Sequence, residues 1–408
     1  MKDFREGVSG RFIRYAQYDT MSCPAKVGVQ RPTSSGQVVL QKALVEELKE
    51  LGLEVDYGKE SVVHGILRSN CPGARAVAFM AHVDTADDVM GNGVRPMRHI
   101  YKGGDIVLPG TTIRACDNPE LAQYVDSEII TSDGTTLLGA DDKAGLAEIM
   151  EAVNYLVGHP EIRHGDVEVF FTPDEETGAG MDQFPYDRMV SSVCYTMDGG
   201  GRGEVESECF NAATVKIRIH GVSTHLGSGR GRLVNALRVA SLITEVLPQA
   251  ESPEATDGRY GYYHVGAIEG TNVEAAMEIY LRDHDSGLFK QRIEAVKKLA
   301  TTIAELYHAQ ADVSVQISYR NMGQANASHP EALEAVFEAC RSIGIEAHET
   351  IIRGGTDGAR LAAHTGLPCP NLFTGGHNYH SLEEWASVDA MSEAVNMILA
   401  IIDHYAKG

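Results

Sequence analysis

Apolar positions along the chain recur in two rhythms. Near its start, Phe4, Val8, Phe12, Ile13 and Tyr15 return at helical spacing. Between 36 and 51, Val38, Leu40, Leu44, Leu48 and Leu51 form one apolar face that Gly52 closes. Residues 143–156 carry a third and stronger helical pattern. Three short, almost wholly apolar runs break this rhythm: 76–81 (AVAFMA), 167–172 (VEVFFT) and 193–197 (VCYTM). Runs of that length without alternation predict strands covered on both faces. Strands alternating with helices predict an α/β fold with a mostly parallel sheet flanked by helices.

The rhythm changes near Asn211. Residues 214–220 (TVKIRIH) alternate as a half-exposed strand does, and a helix is predicted over 233–247. Strand-like runs follow at 260–268 and 275–282, then a helix at 289–308 and an alternating run at 312–319 (DVSVQISY). This β-α-β-β-α-β order predicts a ferredoxin-like α+β unit. From about 324 the buried α/β character returns, with helices at 330–343 and 388–404. The chain therefore reads as a discontinuous α/β domain, 1–211 and 324–408, interrupted by an inserted domain at 212–323.

Composition narrows the function. Of 408 residues, 43% are hydrophobic and 23% charged, which is ordinary for a globular protein. Lys and Arg number 35 against 57 Asp and Glu, a formal charge of −22 that disfavours nucleic acid and anionic membranes as partners. The seven cysteines (23, 71, 116, 194, 209, 340, 369) are odd in number and include no CxxC, which argues against a disulfide framework and for a reducing compartment. The opening residues lack the apolar stretch of a signal peptide, and no apolar run approaches a membrane span. A cytoplasmic location is expected.

Five clusters carry candidate chemistry. His82 and Asp84 follow the first buried run. An imidazole there could bind a metal with one nitrogen and donate to the carboxylate with the other. Asp141 and Asp142 stand where a helix begins, Glu175 and Glu176 follow the run VEVFFT, and Asp198 ends the run VCYTM. His377 and His380 precede Glu383 and Glu384. Taken singly, each also fits a strand-end turn, a helix cap or a solvated acidic loop. Those that end predicted core strands fall where open α/β sheets bind ligands. Carboxylates mixed with imidazoles suit zinc, cobalt or manganese, and the absence of thiolate ligands argues against a structural zinc site. Other catalytic signatures are missing: there is no HExxH, no GxSxG and no GxxxxGK[ST], and the glycine-rich stretches 199–203 and 227–231 lack the dinucleotide-binding register.

At these clusters the sequence resembles the peptidase T family of tripeptide aminopeptidases, within the clan of dinuclear zinc aminopeptidases and carboxypeptidases. The strings that carry the resemblance are AHVDTADD, TSDGTTLLGADDKAGLAEI, FTPDEETGAG, TMDGG and RGGTDGARLAAHTGLPCPNLFTGGHNYHSLEEW, with RFIRYAQYDTMS and QRPTSSGQ near the start. The resemblance spans nearly the whole chain. It implies that His82 and Asp198 hold one zinc, that Glu176 and His380 hold a second, and that Asp141 bridges them ahead of a cis peptide. Asp84 would stand behind His82, and Glu175 would be the general base for a water shared by the two metals. His380 is preferred to its neighbour His377 because the family's ligand lies four residues before a Glu. The inserted domain would be a lid and a dimerisation surface. His225 would reach the developing oxyanion, often in the partner subunit's site, while Asn235, Arg282 and Arg353 would contact substrate. The chain departs from the family pattern at Leu226, where Pro is usual, at His377, where Tyr is, and at Ser381, where Gly is.

The expectation is a zinc-dependent exopeptidase that releases the N-terminal residue of short peptides, most of all tripeptides, with cobalt or manganese as substitute metals. A deacylase or dipeptidase of the same clan is the alternative. A silent metal- or peptide-binding protein is disfavoured, because a pure binding site has no use for an unliganded acid beside the metals.

Overall fold

A computed structural model of the chain describes residues 1–407. The chain divides into two compact units. The first comprises residues 1–207, 322–350 and 356–408; the second comprises 208–321 and 351–355.

The first unit is built on an eight-stranded sheet. Its order is Glu54–Tyr57, Val63–Leu67, Val167–Thr172, Val77–His82, Cys194–Gly199, Asn371–Phe373, Glu204–Glu208 and His348–Ile351. The central four strands, 167–172, 77–82, 194–199 and 371–373, pair in parallel, as the apolar runs predict. The 54–57, 63–67 and 204–208 strands add antiparallel pairings at the flanks, so the sheet as a whole is mixed. The strands Val77–His82 and Val167–Thr172 are buried at every position, which explains their lack of alternation.

Helices Arg5–Ala16, Ser35–Glu50, Ala140–Gly158, Pro330–Ser342 and Val388–Ala406 contribute to the same core. Phe12, Leu44, Ile149, Phe79, Val169, Val336 and Ile398 belong to one buried cluster. Gly145 is needed where the helix Ala140–Gly158 meets the strand that ends at Gly199. A Cβ there would lie 1.9 Å from the carbonyl oxygen of Met197. A smaller antiparallel sheet joins Gly376–His377, Trp385–Ser387, Glu128–Thr131 and Met97–Ile100.

The second unit has the ferredoxin-like order. Its antiparallel sheet runs Tyr262–Gly270, Glu274–Asp283, Asn211–His220 and Gln310–Tyr319. Helices Ala236–Val246 and Ser286–Leu306 cover one face, where Val215, Ile217, Met277 and Ile279 meet Val239, Ile243, Phe289 and Val296. None of the described helices is long and apolar enough to cross a membrane.

Candidate metal centre

Three neighbouring parallel strands deliver chemistry at the same edge. Val77–His82 ends on His82, Val167–Thr172 leads into the Glu175–Glu176 turn, and Cys194–Gly199 carries Asp198. Asp141 arrives from a different direction, at the start of the helix Ala140–Gly158. Asp141 and Asp142 are not helical there, and the peptide bond between them is cis. His380 comes from the loop after Gly376–His377, with φ at 59°, a left-handed conformation uncommon for a side chain of this size.

These side chains form two sets that share one carboxylate. Nε2 of His82 lies 2.8 Å from Oδ1 of Asp141 and 3.5 Å from Oδ1 of Asp198. Nε2 of His380 lies 3.3 Å from the other Asp141 oxygen, Oδ2, and 3.2 Å from Oε2 of Glu176. His82, Asp141 and Glu176 offer ligand atoms close enough to hold one ion, and so do His82, Asp142 and Asp198. Asp142 is otherwise engaged: its two oxygens accept from the amides of His82 (3.1 Å) and Gly145 (3.2 Å).

Partners behind the ligands fix their aim. Nδ1 of His82 donates to the Asp84 carbonyl at 3.1 Å, with the Asp84 carboxylate at 3.4 Å. That carboxylate also accepts from the amides of Glu175 (3.0 Å) and Glu176 (3.2 Å), so Asp84 ties the first imidazole to the acid pair. Asp174, buried and left-handed at φ 59°, anchors the other side of that turn. Its carboxylate accepts from the Thr33 hydroxyl at 2.6 Å and from Gln37 at 2.8 Å. Nδ1 of His380 faces Asp88 at 2.9 Å.

The electrostatics are those of an anionic cluster that collects positive charge. Burial pushes Glu175 well above the usual carboxylate range, with Asp357, Asp198 and Glu176 adding to the effect. Burial and Asp141 bring Glu176 to about 7 and Asp198 to about 6. Asp141 itself is held below its usual value, against burial, by His380 and His82. Asp141 and Glu176 raise His380 to about 11. His82 is raised as well: burial opposes the shift, but Asp141, Asp198 and Asp84 outweigh it.

The residues present fit a pair of divalent cations. Two imidazoles and several carboxylates converge, and Oε1 of Glu176 is buried without a hydrogen-bond partner. An orphaned carboxylate oxygen in such a cluster is costly unless a cation meets it.

His377 lies apart from the two sets. It stacks on Trp385 with ring centroids 4.0 Å apart, and burial lowers it to about 4. Asp88 and Asp174 are site neighbours for which residue spacing gives no rule. The contact of Asp88 with His380 joins positions 292 residues apart.

The remaining sequence-derived candidates lie in the second unit. His225 is exposed in a small polar loop. The Asn235 side-chain oxygen caps the helix Ala236–Val246 by accepting from the Arg238 amide, which leaves its amino group free of that bond. Arg282 donates to the carbonyls of Leu281 (3.0 Å) and Ala213 (3.4 Å). Arg353 donates to the carbonyls of Gly258, Tyr260 and Thr256 and lies over the rings of Phe210 and Tyr262.

An α/β sheet that gathers two imidazole–carboxylate sets around one shared aspartate defines a dinuclear metallohydrolase architecture. The chain belongs to peptidase family M20/M25/M40, whose model matches residues 133–404. Within that family it is 41% identical over 404 residues to peptidase T of Caldanaerobacter subterraneus subsp. tengcongensis, covering 97% of this chain and 98% of the relative. It is 43% identical over 402 residues to peptidase T of Shouchella clausii, again covering 97% of this chain and 98% of the relative. Its fold matches that of a tripeptidase from Staphylococcus aureus with a TM-score of 0.79 at 21% identity, over 99% of both chains.

Proposed function

We propose that this chain is a zinc-dependent aminopeptidase that releases the N-terminal residue of tripeptides. The observation that carries the reading is Asp141, whose two oxygens face two different imidazoles, beside an acid, Glu175, that neither set uses. His82, Asp198 and one oxygen of Asp141 would hold the first cation. His380, Glu176 and the other oxygen would hold the second. Bound there, the cations supply Lewis acidity, which polarises a peptide carbonyl and acidifies water.

Glu175 does the proton work. Its amide is held on Asp84, so the side chain has a fixed origin. It accepts the proton that the attacking water loses and then delivers it to the departing amine nitrogen, as general base and then general acid. Burial raises its proton affinity above that of an ordinary carboxylate, which favours a group that must hold the proton between the two transfers.

His225 serves as a hydrogen-bond donor to the tetrahedral oxyanion. Asn235, Arg282 and Arg353 contact the peptide, and an arginine fork suits its terminal carboxylate. Residues 208–321 act as a lid and carry the contact of a homodimer, and the protein works in the cytoplasm. Sedimentation of purified protein checks the dimer.

The deciding experiment offers free tripeptides, dipeptides and N-acyl amino acids to zinc-loaded protein. Release of the first residue from tripeptides is expected, with little turnover of the N-acyl compounds. A preference for N-acyl amino acids would make the protein a deacylase.

A further inference from the structure

Glu384 makes an unusual set of bonds. Its carboxylate is 1% exposed. Oε2 accepts from the amides of Leu138 (2.6 Å) and Gly139 (2.8 Å), and Oε1 from those of Ala140 (2.7 Å) and Asp141 (3.2 Å). Those successive amides open the helix Ala140–Gly158 and have no intrahelical acceptor. Gly139 makes the turn with φ at 81°, which aims the amides at one point. One buried carboxylate therefore meets four successive amides, the last two of them the first amides of the helix.

Glu384 also closes the loop that carries His380. In that loop the Ser381 hydroxyl donates to the Asn378 carbonyl at 2.7 Å, the Glu383 amide donates to Ser381 at 3.1 Å, and the Asn378 side chain donates to the Glu383 carbonyl at 3.2 Å. The loop is thus stiff between His380 and Glu384, and Glu384 fastens it to the turn bearing Asp141. The two ligands so joined, His380 and Asp141, approach to 3.3 Å and belong to the same set. His82 and Asp198 come instead from strands of the central sheet, whereas the four bonds of the Glu384 carboxylate go to the Asp141 turn.

We propose that Glu384 is a positioning residue that sets the ligand spacing of the second cation site more than that of the first, by locking the His380 loop to the Asp141 turn. This rests on the reading of those two residues as metal ligands. Moving either anchor by a fraction of an ångström changes the second site, while the first keeps two ligands fixed in the sheet.

The test compares wild type with Glu384→Gln and Glu384→Asp, titrated with Zn²⁺ against a chelating dye and with Co²⁺ by its visible spectrum. Glu384→Gln keeps the volume but turns an amino group towards two of the amide donors. It should fold, bind the first ion with at most a small loss, because two of its three ligands lie in the sheet, and bind the second roughly 10–100-fold more weakly, the range for loss of a partner behind a ligand. At limiting zinc its kcat should fall with KM unchanged, and excess zinc should restore most of it. Glu384→Asp, which keeps the charge, should lie between the two. Wild-type affinity for both ions in Glu384→Gln overturns the proposal. So does equal loss of both ions, or failure of both variants to fold, since either makes the role purely structural. A wild-type protein that binds no ion pair would instead overturn the functional reading itself.

Discussion

Oδ1 of Asp141 stands 2.8 Å from Nε2 of His82, and the same carboxylate turns its other oxygen to His380. One side chain is thus common to both ligand sets. Asp141→Ala should abolish paired metal binding rather than halve it, and peptide hydrolysis should fall to background. Metal content after gel filtration is the check; a variant that retains two ions per chain would remove Asp141 from the centre.

The adjacent acids separate chemistry from binding. Glu175→Ala should keep both ions and lose roughly 10²–10⁴-fold in kcat, the usual contribution of a general base. Glu176→Ala should lose or weaken the ion shared with His380, because its Oε2 lies 3.2 Å from that imidazole. If both variants lose the same ion and neither is selectively inactive, the two roles have been misassigned.

Proton release should accompany metal uptake. Asp141 and Glu176 hold His380 at about 11, so in the metal-free chain it carries its proton at pH 7, whereas a ligating imidazole must be neutral. Glu176, raised to about 7 chiefly by burial, is partly protonated at the same pH. Zinc must displace these protons, so affinity should decline as pH falls and decline further below pH 7 as Glu176 fills. Calorimetric titration in buffers of different ionisation enthalpy reads the released protons directly. Heats that do not depend on the buffer at pH 7 would contradict the assignment.

The parts of this centre that the sequence makes legible are those set by local pattern. The apolar runs ending near His82, Glu175 and Asp198 stand out because those strands are buried on both faces, and strand ends in such a sheet are where ligands gather. Short non-local pairings are not legible. The sheet joining 376–377, 385–387, 128–131 and 97–100 is assembled from strands of two to four residues, too brief to show a period. The helix expected over 233–247 begins instead at Ala236, because Val234 forms a bridge with Val222 and Asn235 is the cap. Segment 351–355, with Arg353, packs with the second unit although it lies well beyond the expected insertion. The role of Glu384, though its spacing from His380 is visible, escapes notice for a related reason: its partners are backbone amides about 245 positions away, and no residue type marks an amide as a donor.

The last prediction concerns His225. It stands in the second unit, exposed and flanked by Ser223, Thr224, Gly227 and Ser228. A solvent-facing loop histidine and a donor to the reaction look alike in such a setting, and kinetics separates them. A donor to the oxyanion bonds more strongly in the transition state than to bound peptide, so its loss lowers kcat more than it raises KM. Removing one such donor typically costs about 10²–10³ in rate. His225→Ala should therefore fold, bind two ions as wild type does, and turn over slowly with a smaller change in KM than in kcat. Mixing it with Asp141→Ala protein tests whether the histidine acts across a dimer. Hybrid dimers would pair one intact metal centre with one intact His225 and recover part of the lost activity. Near-normal kcat in His225→Ala would take the residue out of the mechanism, and verified subunit exchange without recovery would confine it to its own chain.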